Sequence, residues 1–313
     1  MTKIYDIAII GGGCGGLAAA MYSGRFEKKT ICFDPMPGGT ITLTHLVENY
    51  PPIKSISGFD LGQKFLEHAL AYNVEMEQQK VDNIKKEGDL FLIESNKKIY
   101  YARSVIFATG ADWKKLQIPS EEKFLNKGIY FCASCDGPLY KGKTIVVIGS
   151  GDSAAKESLL LAEYGKVVYI LVRGDKLKGE PINHKKAVSH PKIEIFTNVQ
   201  VEEFLGDTTL KGIKLSREIQ PKGYDKPTNI INADAAFILI GHTPNTNLAK
   251  SLGVNLNQKG EIIVDKLCKT NIEGFFAAGD CTDIEFKQAI VSAGQGVLAA
   301  YSAEEYLKRK KEV

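Results

Sequence analysis

Residues 3–25 read KIYDIAIIGGGCGGLAAAMYSGR, and their order decides the fold. Lys3 to Ile10 is an apolar, isoleucine-rich run, the pattern of a strand covered on both faces. It enters a glycine turn and then a segment with small residues on its first turns that reads as a helix. Gly11, Gly13 and Gly16 fit GxGxxG. In that pattern the first glycine allows the tight turn, the second lets a pyrophosphate approach the backbone, and the third lets helix and strand pack closely. Alone the motif is weak, but here the flanking strand and helix have the right character. The next predicted strand, TICFD, ends in Asp34, where a carboxylate can bind ribose hydroxyls.

The pattern returns over residues 143–165, KTIVVIGSGDSAAKESLLLAEYG. Gly149, Gly151 and Ala154 form GxGxxA between a valine-rich strand and a second helix, with Asp152 and Ser153 between them. This predicts a second, separate nucleotide site. The step from Gly11 to Asp34, repeated from Gly149, reaches Val172, so no acid stands at the ribose position, and Arg173 follows. An arginine without that acid favours a 2′-phosphate and hence NADPH over NADH, with Lys176 and Lys178 as further cationic candidates. The competing reading of the lysines is a solvated strand end.

Between the two motifs the alternating stretches around 74–84, 90–94 and 98–101 predict an antiparallel excursion, and the turn-forming segment QPKGYDKPTN (220–229) joins two strands. Tyr130 to Gly137, YFCASCDG, sets Cys132 and Cys135 three positions apart with Asp136 directly after. Two thiols at that spacing can close a small disulfide ring and exchange with a partner disulfide through a mixed disulfide, while the acid handles protons. The same spacing supplies half of a tetrahedral zinc site. Cys14, Cys32, Cys268 and Cys281 form no second such pair and no Cys/His cluster of finger spacing, so no metal is expected. A buried, inert pair is the other competing reading; the adjoining acid and glycine favour redox chemistry.

At 313 residues, 44% hydrophobic and 25% charged, the chain suits a globular protein with two domains. Lysine plus arginine outnumber aspartate plus glutamate by only 40 to 37, which gives no global field for nucleic acid. The basic tail KRKKEV reads as a solvated helix terminus. No run approaches the roughly 18 to 20 apolar residues of a membrane span, and the N-terminal apolar run leads into glycines instead of a cleavage site. Six cysteines are too few for a disulfide scaffold in a chain this long, so a reducing cytoplasm is the expected setting.

Taken together, these residues resemble the low-molecular-weight thioredoxin reductases, from about Tyr5 to about Ala300. PGGTITLTHLVENYP resembles that family's flavin segment, VIFATG, GHTPNT and FFAAGDCTD its ATG, GxxPNT and AGD motifs, and KQAIVSAGQG its closing RQA helix. The resemblance implies an α/β fold of two doubly wound Rossmann-like domains. A discontinuous FAD domain, residues 1–114 and 244–313, would enclose an inserted NAD(P)H domain, 115–243, that carries the cysteine pair. Residues 109–115 and 241–245 would be hinges for a rotation that presents the flavin to nicotinamide and to the disulfide in turn.

The resemblance also implies residue roles. Gly39, Thr40, Asn49, Thr109, Gly110 and Gly279 would lie about the flavin, with Asp280 on its ribityl chain and Gln288 and Ala289 aiming backbone amides at the ring. Cys135 would take electrons from the flavin, Cys132 would attack the partner's disulfide, and Asp136 would act as general acid and base. The partner would be a thioredoxin or glutaredoxin-like small redox protein, and the enzyme a homodimer. The chain departs from the family pattern in three places: Thr40 replaces a glutamine, Lys287 an arginine, and HRRxxxR appears as VRGDKLK, where only Arg173 survives unchanged. Two alternatives therefore stand beside NADPH: the same fold fed by ferredoxin or a deazaflavin, and a disulfide oxidase whose flavin is reoxidised by oxygen. A redox-controlled binding protein without turnover is a third class, but it would not need both cysteines and the acid.

Overall fold

The structure, a computed structural model, describes residues 3–44, 47 and 49–311, and of residues 134, 135 and 311 the backbone alone. The chain divides into two compact units, Met1–Asp112 with Thr243–Val313, and Trp113–His242.

The first unit begins with β1 (Ile4–Ile10), α1 (Cys14–Arg25), β2 (Thr30–Phe33), α2 (Gly58–Leu70), β3 (Glu75–Glu77), β4 (Val81–Glu87), β5 (Leu90–Ser95), β6 (Lys98–Phe107) and β7 (Ala111–Trp113). The second contains α3 (Glu121–Phe124), β8 (Ile129–Tyr130), α4 (Ala133–Asp136), β9 (Thr144–Ile148), α5 (Asp152–Tyr164), β10 (Val167–Leu171), α6 (Pro181–Ser189), β11 (Ile193–Phe196), β12 (Val201–Leu205), β13 (Gly212–Ile219), β14 (Thr228–Asn232) and β15 (Ala235–Ile238). After β16 (His242–Pro244), the chain completes the first unit with α7 (Asn247–Ser251), β17 (Phe275–Ala277) and α8 (Ala289–Lys311).

In the first unit the strand order is β3-β2-β1-β6-β5-β4, with β17 also on β6. The long β6 makes this possible. One of its edges pairs with β1 in parallel, Ile7 opposite Ser104 and Ile10 opposite Phe107. Its other edge pairs first with β5, antiparallel, and then with β17, parallel, Val105 opposite Phe275. The alternation in β1 explains why both of its faces are apolar. Ile7 and Ile9 pack with Leu17, Ala19 and Ala20 of α1 and with Ala299 and Ala303 of α8. Ala8 and Ile10 turn the other way, into the cluster with Ile84, Phe91 and Ile93 of the antiparallel excursion. Each fully buried isoleucine or phenylalanine contributes roughly 1.5–3 kcal/mol. Helices α1 and α8 meet through small residues: a Cβ on Gly296 would lie 1.9 Å from the Gly15 carbonyl oxygen.

The second unit repeats the scheme with a five-stranded sheet, β11-β10-β9-β15-β8, and a separate antiparallel sheet, β12-β13-β14. Every pair in the five-stranded sheet is parallel. Val146 and Ile148 of β9 face the core shared with Phe204, Ile213, Leu215 and Ile231, while Ile145 and Val147 face α5 and α6. Residues 220–227 connect β13 to β14, so QPKGYDKPTN joins two strands as expected, and the two pair antiparallel. Among the described residues no helix is long and apolar enough to cross a membrane.

Candidate active site

In the first unit a cleft of about 250 Å³ lies at the glycine turn. Gly11 makes the turn at φ +103°, a backbone conformation that side-chain-bearing residues rarely adopt. At Gly16 a Cβ would stand 1.7 Å from the Gly11 carbonyl oxygen, so the helix can sit this close only without a side chain. Gly13 is the N-cap of α1, and no side chain caps the helix there. The first-turn amides, those of Cys14, Gly15 and Gly16, are therefore left for a ligand, with the positive end of the helix dipole behind them.

Gly13, Cys14 and Gly15 line the cleft with Gly38, Thr40, Ile41 and Thr44, with Ala108 and Gly110 beyond β6, and with Ala278, Gly279, Asp280, Lys287, Gln288, Ala289 and Ser292. Of the residues expected about the flavin, Gly13, Thr40, Gly110, Gly279, Asp280, Gln288 and Ala289 meet here. Asn49 stands behind them, its side-chain amide donating to Gln288 Oε1 at 3.0 Å. Thr109 turns away and donates its hydroxyl to the Asn245 carbonyl at 2.7 Å. Gly11, Gly16 and Gly39 shape the backbone without lining the cleft. Asp34 does not line it either. Its carboxylate accepts the Gly12 amide through Oδ2 and the Met36 amide through Oδ1, the latter at 2.6 Å. Burial pushes the Asp34 carboxyl up, against the two amides that stabilise its charge.

Two lining residues that the motifs did not single out for roles complete the far wall. Ser292 donates to Asp280 Oδ1 at 3.0 Å, which orients that carboxylate. Lys287 is paired with Glu261 at 2.9 Å and donates to the carbonyls of Asp280, at 3.0 Å, and Thr282, at 2.8 Å. The lysine thus ties the AGD turn to the start of α8. Cys281 is fully buried with its thiol toward the Ala278 carbonyl, and Cys14 is nearly so, which fits close-packed small residues.

In the second unit a cleft of about 620 Å³ surrounds Gly149, Ser150, Gly151 and Ser153. The N-cap of α5 is Gly151, again without a side-chain cap. Arg173 lines this cleft with Lys114, Lys115 and Gln200, against an apolar wall of Ile148, Leu171, Val199 and Leu239. Lys114 and Lys115 come from the segment after β7, and only the tertiary structure brings them beside the glycine turn. Lys176 and Lys178 are exposed and do not line the cleft. The Lys178 backbone amide donates to the Ser150 carbonyl at 2.7 Å, so its segment braces the turn. Asp152 accepts the Glu180 amide at 2.7 Å and the Asn183 side-chain amide at 3.2 Å, which ties α5 to α6. Ala154 is buried under the turn.

The cysteine segment belongs to this second unit. Cys132 is disulfide-bonded and half-buried. The side chain of Cys135 lies outside the described residues. Cys14, Cys32, Cys268 and Cys281 are free. Asp136 is half-buried at the end of α4, and desolvation raises its carboxyl above the ordinary range, which favours the proton-carrying form. The hydroxyls of Tyr130 and Tyr140 meet at 3.0 Å on either side of the segment. One residue that the sequence did not mark is Glu157 of α5. Its Oε2 accepts the Ala133 amide at 3.2 Å, at the first residue of α4. Among the described residues no group of three or more His, Cys, Asp or Glu side chains is placed to hold a metal.

The chain matches the pyridine nucleotide-disulphide oxidoreductase family over residues 5–296. It is 39% identical over 320 residues to a thioredoxin reductase of Pneumocystis carinii, covering 98% of this chain and 97% of that protein. The crystal structure of Lactococcus lactis thioredoxin reductase superposes with a TM-score of 0.88 at 34% identity, covering 97% of this chain and 99% of the other. A ferredoxin-flavin thioredoxin reductase from Clostridium acetobutylicum is 35% identical, with full coverage of both chains and a TM-score of 0.55.

Proposed function

This chain belongs to the pyridine nucleotide-disulphide oxidoreductase family, among its low-molecular-weight thioredoxin reductases, and from that premise we propose that electrons from NADPH leave the protein through a Cys132–Cys135 disulfide. The observation that carries the reading is the disulfide-bonded state of Cys132 in a unit that also holds an uncapped glycine-turn helix. FAD, when bound, accepts a hydride from NADPH and passes two electrons on to a disulfide.

The residues present fit both groups. In the first cleft the free amides at the start of α1 would hold the FAD pyrophosphate, Asp280, oriented by Ser292, would bind the ribityl chain, and the α8 N-terminus at Gln288 and Ala289 would favour negative charge on the ring. In the second, the α5 N-terminus would hold the NADPH pyrophosphate, and Arg173, with Lys114 and Lys115 in the same cleft, would hold the 2′-phosphate.

Cys135 is the thiol that receives electrons, and Cys132 the thiolate that attacks the disulfide of a thioredoxin or glutaredoxin-like protein, forming a mixed disulfide that Cys135 resolves. Asp136, raised by burial, returns a proton to the departing thiolate. The enzyme works as a homodimer in the cytoplasm.

An anaerobic titration with NADPH and then NADH tests the donor. NADPH bleaches the flavin absorbance, and NADH does so only at much higher concentration. The absence of bleaching by either would overturn the nicotinamide reading. Cys132→Ser keeps the bleaching and loses thioredoxin reduction by more than roughly a thousandfold, as expected when a nucleophile is removed. A ferredoxin-fed enzyme is the second reading. It is favoured by VRGDKLK, in which Lys176 and Lys178 stand off the cleft, and by the ferredoxin-flavin relative. Bleaching by reduced ferredoxin alone would establish it.

A further inference from the structure

Cys132 immediately precedes α4, and the first backbone amide of that helix, at Ala133, is that of the next residue in the chain. Amides at a helix start ordinarily stabilise a thiolate there. In this protein the Ala133 amide is committed elsewhere, to Glu157 Oε2 at 3.2 Å. The contact is held by packing. Ala133 is fully buried, and a Cβ on Gly137 would meet Leu161 and Tyr164 of α5 at 2.9 and 3.4 Å, so the cysteine turn lies directly on the helix that bears Glu157.

We propose that Glu157 is a positioning residue for the redox pair: it fixes the Ala133 amide behind Cys132 and takes up a proton when the Cys132–Cys135 disulfide is reduced. The inference rests on the assignment of that pair as the redox disulfide.

The chemistry follows from like charge. Reduction breaks the S–S bond and leaves one thiol and one thiolate. A thiolate one residue from the Ala133 amide opposes a carboxylate on the same amide, so the carboxylate gains a proton. Disulfide, Glu157 carboxylate, two electrons and two protons become thiol, thiolate and Glu157 carboxylic acid. The reduced flavin supplies both electrons and is oxidised, and the protons come from it and from solvent. Burial already places the Glu157 carboxyl at about 7, with the Ala133 amide and Lys156 opposing the shift, so the added negative charge acts where it changes occupancy.

The charged and titratable groups on elements packed against α5 are Asp136 of α4, Tyr140 of the turn after it, His184, Lys185 and Lys186 of α6, Tyr169 of β10 and Glu194 of β11, besides Asp152, Lys156, Glu163 and Tyr164 of α5 itself. Of these, only Lys156 acts on Glu157 among the causes of its shift.

The test equilibrates wild-type, Glu157→Gln, Asp136→Asn and His184→Asn holoenzymes with dithiothreitol buffers between pH 5.5 and 8.5 and counts thiols by alkylation. The glutamine keeps an oxygen for the Ala133 amide but cannot take the proton. Between about pH 7 and 8 the wild-type equilibrium constant for reduction falls about fivefold more than that of Glu157→Gln, as the uptake at Glu157 rises from about half a proton toward one extra proton per disulfide. The variant is thus about tenfold easier to reduce at pH 8 and within twofold of wild type at pH 6. His184→Asn follows wild type, and Asp136→Asn keeps the steeper slope.

Equal slopes in wild type and Glu157→Gln overturn the inference and leave the redox assignment standing. A wild-type protein whose Cys132 and Cys135 never yield thiols overturns both. If Glu157→Gln fails to retain flavin, the reduced-minus-oxidised infrared spectrum of wild type decides: a protonated-carboxyl band appears at pH 7.5 and shifts in Glu157→Asp. Absence of the band rejects the proton uptake.

Discussion

The two glycine turns share a pattern and differ in what surrounds it. At the third position of the motif, Gly16 lies so close to Gly11 that a Cβ would overlap its carbonyl oxygen, whereas Ala154 carries a methyl at the corresponding place. Past β2 an acid folds back onto the turn, Asp34 on the Gly12 amide; past β10 an arginine opens onto a cleft. One turn further along each helix, Ala19 is buried in apolar core, and its counterpart Glu157 meets the cysteine segment. The same backbone device thus serves two ligands because its neighbours, not its glycines, set the local charge.

Breaking the shared motif should give the largest and most unequal effects. Gly16→Ala must displace either the turn or α1, with an expected loss of roughly 3 kcal/mol or more and of bound flavin, visible in thermal melts and in the absorbance of the purified protein. Ala154→Gly changes only helix propensity and packing, about 1 kcal/mol, and retains nucleotide binding. Equal losses would mean that the two turns are equally tight. Next in size is the charge facing the second cleft. Arg173→Ala should raise KM for NADPH by roughly ten- to a hundredfold, from about 1.5–3 kcal/mol of charge-assisted bonding, and leave KM for NADH unchanged. Lys178→Ala should change both less than about threefold.

A smaller loss is expected at Lys287, whose ion pair with Glu261 and bonds to two carbonyls brace the first cleft. Lys287→Ala should cost about 1–2 kcal/mol and weaken flavin retention, measured by flavin release on dilution, with no effect on binding of NADPH to the second unit. The finest distinction is the stability of the two helices against pH. A carboxyl raised from its ordinary value to about 7 is held protonated by the folded state, so it lowers stability as pH rises through the interval from 4.5 to 7. Glu157→Gln should therefore raise Tm at pH 8 and leave it unchanged near pH 4. A uniform shift at both values would point to packing instead of charge.

Much of the fold was legible because it is written locally. The isoleucines of β1 and the valines of β9 show their burial in composition, and a glycine turn between strand and helix leaves few topologies open. The cleft residues were legible where a motif marked them, as with Asp280, Gln288 and Arg173. Ser292 and Lys287 drew no role, because a serine in a small-residue helix and a lysine before it have ordinary explanations. Lys178 illustrates the reverse case. Its spacing suits a phosphate, but what the structure shows of it is an exposed side chain that does not line the cleft and a backbone bond to Ser150.

By itself the sequence determined the two nucleotide-fold units, the uncapped glycine helices and the spacing of the cysteine pair, since each depends on residues within a few positions of one another. Only the tertiary structure decided where Asp34 spends its carboxylate, that Lys114 and Lys115 join Arg173, and that Glu157 reaches Ala133 across 24 positions. Those outcomes depend on which polar groups burial leaves facing each other, and burial is a property of the packed chain as a whole.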